Sequence, residues 1–308
     1  MTELPTVGVL GAGAVGQSVA GALVASGLCG ELLVASRRLA QAEALAADLD
    51  DMRTVLASPA RPRACRPADL TGCHAVVVAV RAHFTNARAQ DVRMGGAAAN
   101  APLIRRIGEE VLRGYDGAVL VVTNPVDLMA RLLAEASGSA RVYGIGSSLD
   151  TARYRLLLAR HLSVPAEAVR GHVIGEHGDA AVICASSTTV AGDPAPVPVE
   201  TIRAALAARP GEIRGGIGRT RTGPAGAVVD ALRHLLTDTP GVIELSRPWR
   251  GGVWLGLPVA VRAGAPTVRL PALSDAEAAQ LEAAAAKLGG AYRHLLTHLS
   301  EEEERNLL

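Results

Sequence analysis

The sequence predicts an α/β protein with an N-terminal doubly wound parallel sheet and a C-terminal α+β domain. Strand-like apolar runs alternate with helical apolar patterns over the first half of the chain, which favours a parallel sheet with helices on both faces. The run 75–80 is continuously apolar, as in strands covered on both sides. After about residue 147 the strand candidates become shorter. We therefore expect one domain at 1–147 and a second at 148–308.

In the N-terminal half, helical patterns follow strand candidates along the chain. Apolar residues dominate the strands, while the helices carry apolar side chains at helical spacing or are rich in alanine. The strands are expected at 6–10, 31–36, 75–80 and 118–122, and the helices at 15–26, 39–49 and 97–113.

In the C-terminal half, a helix is expected to begin near Asp150. Strands are predicted at 172–174, 181–187, 253–261 and 267–270, and helices at 201–209, 226–236 and 275–299. Residues 192–198 contain three prolines and are predicted to form a loop, because proline cannot donate to a central ladder. The acidic run 301–304 is interpreted as a solvated helix end.

The composition is that of a globular protein without a charged partner. Of its 308 residues, 49% are hydrophobic and 20% are charged, and the formal net charge is +1. That balance gives no electrostatic argument for binding nucleic acid or an acidic membrane surface. Seven aromatic residues are too few for a base-stacking platform, and no apolar run approaches the ~20 residues that span a bilayer.

The four cysteines, Cys29, Cys65, Cys73 and Cys184, show neither a paired metal-ligand spacing nor a C-x-x-C motif. We expect free thiols in a reducing compartment and no metal. The N-terminus lacks a basic segment followed by an apolar signal core. A cytoplasmic location is therefore expected.

A glycine-rich motif follows the first strand. Gly11-Ala12-Gly13-Ala14-Val15-Gly16 lies between that strand and a helix, which is the context a dinucleotide-binding loop requires. Gly11 permits the tight turn, Gly13 lets the backbone approach a pyrophosphate, and Gly16 allows close packing of helix and strand. The helix N-terminus at Ala14 and Val15 offers N–H groups to the phosphates. A Rossmann domain is predicted; the alternative is a glycine turn without a ligand.

The end of the second strand predicts NADP(H) rather than NAD(H). An NAD enzyme usually has an acidic residue there, which accepts hydrogen bonds from the ribose 2′-hydroxyl. This chain has Ser36 at that position, followed by Arg37 and Arg38. A hydroxyl donor and guanidinium groups suit a 2′-phosphate. The alternative is that both arginines are solvated residues leading into a helix.

Three residues of the second half could together reduce a ketone. His177 could supply a proton near neutral pH, and a carboxylate such as Asp150 on its other ring nitrogen would favour the imidazolium. Arg153 lies three residues after Asp150, so the two would share a helix face. Its guanidinium could bind a substrate carboxylate bidentately.

The chain resembles the L-lactate/malate dehydrogenase family. The similarity rests on the glycine loop and on Thr123-Asn124-Pro125-Val126-Asp127, Leu149-Asp150-Thr151-Ala152-Arg153 and Gly175-Glu176-His177-Gly178-Asp179. It implies that His177 is the acid/base, Asp150 its partner and Arg153 the clamp on the substrate carboxylate. Asn124 would orient substrate and nicotinamide. It also implies a homodimer or homotetramer.

The family has a mobile lid, and here the chain departs from the pattern. The resemblance assigns the arginine that polarises the ketone to Arg93, seven residues before Asn100, and the reader of a second substrate carboxylate to Arg88. The competing interpretation of Arg88 is a surface arginine on a lid whose substrate is monocarboxylic or larger. Thr220 would lie beside the substrate side chain. The segment from Val76 to Arg93 is about three residues longer than expected by resemblance.

The predicted function is an NADP(H)-dependent 2-hydroxy-acid dehydrogenase that reduces a small 2-oxo acid of the malate or lactate type. One alternative keeps this machinery but acts on an unusual electrophile, a phosphonate-bearing keto acid or an imine, in a biosynthetic pathway. The other is a catalytically silent NADP-binding protein.

Overall fold

The computed structural model describes residues 3–84, 96–237 and 239–307, with side chains described as far as residue 301 in the last range. The helices are α1 (Ala14–Ser26), α2 (Leu39–Leu56), α3 (Ala97–Arg106), α4 (Val126–Ser137), α5 (Ser147–Leu162), α6 (Val199–Ile217), α7 (Thr222–Leu236) and α8 (Asp275–Leu307). The strands are β1 (Thr6–Leu10), β2 (Glu31–Ala35), β3 (Arg61–Cys65), β4 (Ala75–Val78), β5 (Ala118–Val121), β6 (Val142–Gly144), β7 (Val169–Arg170), β8 (Val173–Gly175), β9 (Ala181–Ile183), β10 (Thr189–Val190), β11 (Asp193–Pro194), β12 (Gly241–Pro248), β13 (Trp254–Arg262) and β14 (Ala265–Val268).

The first six strands form a parallel sheet in the order β3-β2-β1-β4-β5-β6. This is the doubly wound dinucleotide-binding order, in which the strand sequence reverses between β1 and β4. All four residues of β4 are buried. Val76 and Val78 belong to one core cluster and Ala75 and Val77 to another, because successive side chains point to opposite faces. The sheet is therefore covered on both sides, as predicted.

The second half extends the same sheet with antiparallel strands. β12 pairs with β6 and then with β13, and β8 and β9 continue the order. A separate small sheet joins β7, β10 and β11. A third core cluster lies where α5 packs on this region. The predicted fold class, an N-terminal Rossmann sheet with a C-terminal α+β domain, is confirmed; the proposed boundary at 147 stays a prediction.

Several boundaries differ from the sequence prediction. α2 continues to Leu56 and α6 to Ile217, and β9 ends at Ile183. The loop prediction for 192–198 is partly wrong, because Asp193–Pro194 form the short strand β11. β11 lies at the edge of its sheet, where a missing proline N–H is tolerated. Strand β3 was not predicted from the sequence. It is an edge strand in which charged residues alternate with uncharged ones, so it lacks an apolar run.

In the described ranges, no helix is both long enough and apolar enough to cross a membrane.

Candidate active site

The glycine loop has the geometry of a pyrophosphate cradle. Gly11 has a φ of +117°, and a Cβ there would lie 2.7 Å from the Ala79 carbonyl oxygen. A Cβ on Gly16 would overlap the Gly11 carbonyl, whereas one on Gly13 would meet nothing within 4 Å. Gly13 therefore borders open space, where a phosphate can approach the backbone.

Helix α1 begins at this loop, at Ala14. The N–H groups of Ala14, Val15 and Gly16 have no acceptor within the helix, because the first turn lacks preceding carbonyls. They carry the positive end of the helix dipole. These residues fit a dinucleotide cofactor.

A hydrogen-bond relay joins the loop to the end of β2. Ser36 donates its hydroxyl to Gln41 Oε1 at 3.0 Å, and Gln41 Nε2 donates to the Ala12 carbonyl at 3.0 Å. Gln17 Nε2 also donates to Ala12, at 3.0 Å. Sequence reasoning missed Gln41; its position in the first turn of the helix after β2 was the available signal. The relay fixes Ser36 beside the cofactor loop.

Arg37 and Arg38 follow Ser36 at the start of α2, and both are exposed. Within the ranges that the structure describes, neither forms an ion pair with an acidic side chain. Their guanidinium groups are thus available to an anionic ligand at the end of β2.

His177 and Asp150 form a buried pair. His177 Nδ1 lies 2.5 Å from Asp150 Oδ2, and each side chain is 8% exposed. Asp150 lies in the first turn of α5, and His177 follows β8 directly. A Cβ on Gly146, the residue before α5, would lie 2.5 Å from the His177 ring, so only glycine leaves room for the imidazole.

Arg153 lies one helical turn after Asp150. Its Nη1 is 3.4 Å from Asp150 Oδ1, and its side chain is 7% exposed. The structure therefore brings Asp150, Arg153 and His177 together; their catalytic roles stay predictions. A guanidinium and an imidazole share one carboxylate between them.

Two asparagines, Asn124 after β5 and Asn100 on α3, complete this side of the site. Asn124 is exposed, and its carbonyl accepts a hydrogen bond from Asn100 Nδ2 at 2.8 Å. Asn100 is buried, and its Oδ1 accepts the Ala82 N–H at 2.8 Å. Asn100 thus connects the segment after β4 to the loop that presents Asn124.

Asp127, in the first turn of α4, holds the backbone of His177. Its Oδ2 accepts the His177 N–H at 2.8 Å. Burial raises the pKa of the Asp127 carboxyl to about 7. The negative charges of Glu176 and Asp150 act in the same direction, and the polar Ser246 hydroxyl and the His177 backbone N–H oppose the rise. Sequence reasoning assigned Asp127 no role, although it lies in the same segment as Asn124.

Glu176, beside His177, was also missed. It is 2% exposed, and Lys287 Nζ lies 2.8 Å from its carboxylate. Lys287 is the only lysine in the sequence, which was the available signal. The backbone N–H of Ala180 donates to Glu176 Oε2 at 2.9 Å.

A cavity of about 250 Å³ opens beside Arg153 and Thr220. It is lined by Leu149, Ala152, Arg153, Leu156, Arg209, Ile213, Thr220, Arg221, Thr222 and Gly223. Thr220 and the predicted carboxylate clamp thus border one space. Arg88 and Arg93 lie outside the described residues, so their roles stay predictions.

Within the described part of the chain, no group of three or more His, Cys, Asp or Glu residues could hold a metal ion. A dinucleotide cradle, a buried imidazole–carboxylate pair and an adjacent guanidinium are together typical of enzymes that reduce a keto acid with a nicotinamide.

Comparison with known proteins agrees with that class. A sequence model of the lactate/malate dehydrogenase NAD binding domain matches residues 6–146, and one of the lactate/malate dehydrogenase α/β C-terminal domain matches 147–205. The L-lactate dehydrogenase of Deinococcus radiodurans is 31% identical over 92% of this chain and 97% of its own length. That of Thermus aquaticus is 34% identical over 78% of this chain and 81% of its own.

Solved structures show the same fold. A lactate dehydrogenase from a Medee basin deep-sea metagenome library superposes with a TM-score of 0.87 at 25% identity, covering 97% of this chain and 100% of its own. The malate dehydrogenase of Cryptosporidium parvum gives a TM-score of 0.86 at 23% identity, covering 96% and 99%.

The chain belongs to the lactate/malate dehydrogenase family. It is a nicotinamide-dependent dehydrogenase that acts on the CH–OH group of a small 2-hydroxy acid. The predicted Rossmann domain is confirmed, and so is the use of a nicotinamide cofactor.

Proposed function

We propose that the enzyme reduces a small 2-oxo acid of the malate or lactate type, with His177 as proton donor, Asp150 as its partner and Arg153 as the substrate clamp. The observation that carries the proposal is the buried contact of 2.5 Å between His177 Nδ1 and Asp150 Oδ2, with Arg153 on the same carboxylate. Three ionisable side chains buried together need a reason beyond stability, because replacing buried ion pairs by apolar groups is often neutral or stabilising.

The proposed reaction is a reduction of the substrate carbonyl, and each residue contributes to it through particular atoms. A bound reduced nicotinamide supplies a hydride to the carbonyl carbon. Nε2 of His177, the ring nitrogen away from Asp150, gives its proton to the carbonyl oxygen as the C=O π bond breaks, and takes it back in the oxidation. Asp150 keeps the imidazolium oriented and stabilised, so that the proton is available near neutral pH. Arg153 binds the substrate carboxylate bidentately and so presents one carbonyl face.

Asn124 is proposed to orient both substrate and nicotinamide, since it is exposed at the end of β5 beside the loop after β4. Arg93 is proposed to polarise the ketone, Arg88 to contact a second acidic group, and Thr220 to border the substrate side chain. The carboxyl ends of parallel strands are where ligands of this fold bind. Replacing Arg93 with Ala should lower turnover, whereas Arg88→Ala should affect only dicarboxylic substrates.

The cofactor is proposed to be NADP(H) in preference to NAD(H). Ser36 occupies the position of the usual acidic residue, and the exposed Arg37 and Arg38 follow it. Because the Ser36 hydroxyl hydrogen is engaged by Gln41, the two arginines would supply most of the attraction for a 2′-phosphate. Arg37→Ser/Arg38→Ser should raise the Kd of NADPH and leave that of NADH unchanged. Arg66→Ser, at another exposed position, is the control.

A second candidate substrate is a 2-oxo acid with a further anionic group, such as a phosphonate. Arg209 and Arg221 line the same cavity as Arg153, and across the described residues neither arginine has an acidic partner. Leu149, Leu156 and Ile213 supply apolar side chains to the same wall, which suits a substrate larger than a three-carbon acid. Turnover of a phosphonate analogue without turnover of pyruvate or oxaloacetate would favour this candidate.

The working assembly is proposed to be a homodimer or homotetramer in the cytoplasm. All four cysteines are free thiols, which agrees with a reducing compartment. Sedimentation at several protein concentrations tests the assembly; a monomer throughout the concentration range would contradict it.

The experiment that tests this function is an assay of cofactor oxidation at 340 nm. NADPH and NADH are each combined with pyruvate, oxaloacetate, branched 2-oxo acids and a phosphonate analogue. We expect oxidation with one of these acids and a lower KM for NADPH. Tight NADPH binding with no oxidation by any acid would contradict the proposed substrate class.

A further inference from the structure

Lys287 and Glu176 form an ion pair between the C-terminal helix α8 and the turn after β8, which carries His177. Lys287 lies on α8, 111 residues away in sequence, and its Nζ is 2.8 Å from both carboxylate oxygens of Glu176. The Glu176 side chain is 2% exposed and that of Lys287 is 36% exposed. An ionised carboxylate at that depth is costly unless a cation compensates it.

Glu176 also shapes the turn that carries His177. Its Oε2 accepts the Ala180 N–H at 2.9 Å. A Cβ on Gly178 would lie 2.6 Å from the Glu176 carboxyl group, so the side chain folds back over Gly178. Together with the His177 N–H bond to Asp127, this fixes the turn at both ends. The position of the imidazole thus depends on where Glu176 is held.

The charged groups around His177 come from several elements. They are Asp127 on α4, Asp150 and Arg153 on α5, Glu176 and the exposed Asp179 on the turn itself, and Lys287 on α8. Three of the carboxylates are buried. The carboxylates act on one another: the pKa of Asp127 is raised mainly by burial, and the negative charge of Glu176 raises it further.

We propose that Lys287 is a positioning residue for proton transfer at His177: it holds Glu176 in place, and it offsets a negative charge that would otherwise favour the imidazolium. This proposal rests on the proposed role of His177 as proton donor. A proton donor works best when its pKa is near the working pH. Asp150 already favours the charged ring of His177. The additional negative charge of an uncompensated Glu176 would make that ring hold its proton too strongly for transfer.

Titration of His177 tests the electrostatic part without turnover. Histidine labelled with ¹³C is followed by NMR, and the His177 signal is assigned by its loss in His177→Asn. We expect the midpoint to move down in Glu176→Gln, which leaves the lysine charge, and up in Lys287→Met, which leaves the carboxylate. A movement of about one pH unit is expected for charges separated by several ångströms in a protein interior. The double variant should titrate close to the parent, because the two opposite charges are removed together.

Opposite movements in the two single variants support the proposal. Movements in the same direction, or midpoints that stay at the parent value in both variants, would overturn it. Lys287→Arg keeps the charge and is expected to titrate like the parent. If Lys287→Met lowers the melting temperature but leaves the His177 titration unchanged, the pair only anchors α8, and the proposal is wrong.

Kinetics test the positioning part. Lys287→Met should lower kcat about tenfold and change KM for the keto acid less than twofold, because a small misplacement of a reacting group costs rate rather than binding. Lys287→Arg should recover most of the rate. Equal kcat in the parent and Lys287→Met would overturn the proposal.

The NMR result and the kinetic result also separate this proposal from the proposed function. Full turnover in His177→Asn would remove His177 as proton donor while leaving the titration of the Lys287 and Glu176 variants readable. The converse result is that the parent enzyme turns over the keto acid as proposed while the His177 midpoint stays the same in the Lys287 and Glu176 variants. That result would reject only the role of Lys287.

Discussion

Replacing Asp150 with Asn tests the imidazole–carboxylate pair at the centre of the site. The substitution keeps the size of the side chain but removes the charge that lies 2.5 Å from His177 Nδ1 and 3.4 Å from Arg153 Nη1. A hydrogen bond to a charged partner contributes about 1.5–3 kcal/mol, which corresponds to a loss of roughly 10- to 150-fold in the protonated imidazole. An amide also favours the wrong ring tautomer.

Arg153 loses a partner in the same variant, so the substrate clamp is also less well held. We expect kcat/KM for the keto acid to fall by about 10²–10³ in total, since an oriented reacting group contributes several orders of magnitude. The rate should recover in part below pH 6, because without the carboxylate the imidazolium forms only at lower pH. Stopped-flow measurement of cofactor oxidation from pH 5 to 9 gives both quantities.

The matched control is Asp230→Asn. Asp230 Oδ1 lies 4.0 Å from His234 Nε2 on α7, and its side chain is 54% exposed. Removing this exposed charge should change kcat/KM less than twofold, because exposed pairs contribute little. If Asp150→Asn keeps kcat/KM within fivefold of the parent at neutral pH, the reasoning about the buried pair is refuted.

Three further changes have defined outcomes. Arg153→Lys should raise KM for the keto acid about 10²-fold, since an ammonium cannot bind a carboxylate bidentately; Arg160→Lys, exposed on the same helix, should not, and equal KM values would remove the clamp. Ser36→Asp should lower the ratio of kcat/KM for NADPH to that for NADH at least tenfold, because an acid repels the 2′-phosphate; an unchanged ratio would mean that other residues bind that group. The Asp127 pKa is raised from 3.8 to about 7, so the folded state binds the extra proton and the free energy of unfolding should fall as pH rises from about 4 to 7, by up to about 4 kcal/mol. Asp127→Asn should flatten that slope in urea titrations at a series of pH values, and an unaltered slope would contradict the raised pKa.

The parts of the site that could be predicted from sequence are those in which residue type and local order carry the chemistry. A glycine loop between a strand and a helix has few alternative explanations, and Gly11 and Gly16 occupy positions where a Cβ would collide with backbone. Asp150 and Arg153 are one helical turn apart, so their shared face followed from helix geometry. The pairing with His177 came from the family resemblance, because 27 residues separate it from Asp150.

The rest depends on contacts between distant parts of the chain. Lys287 meets Glu176 across 111 residues and Gln41 meets Ala12 across 29, and no local pattern encodes either distance. β11 was missed because proline argues against a central strand but is compatible with an edge. The part of α2 beyond its predicted end contains an ion pair between Asp50 and Arg53 at 2.5 Å. This pair stabilises the helix only once the helix is formed.

The role of His177 as proton donor can be measured as the rate of hydride transfer in a single turnover of His177→Asn. Enzyme saturated with NADPH is mixed with the keto acid that the parent turns over, and loss of absorbance at 340 nm is followed, with the Kd of NADPH measured separately by fluorescence. We expect a Kd within about twofold of the parent and a transfer rate lower by about 10²–10⁴, the usual contribution of a positioned proton donor. A transfer rate within fivefold of the parent would contradict it, because the proton would then come from another group.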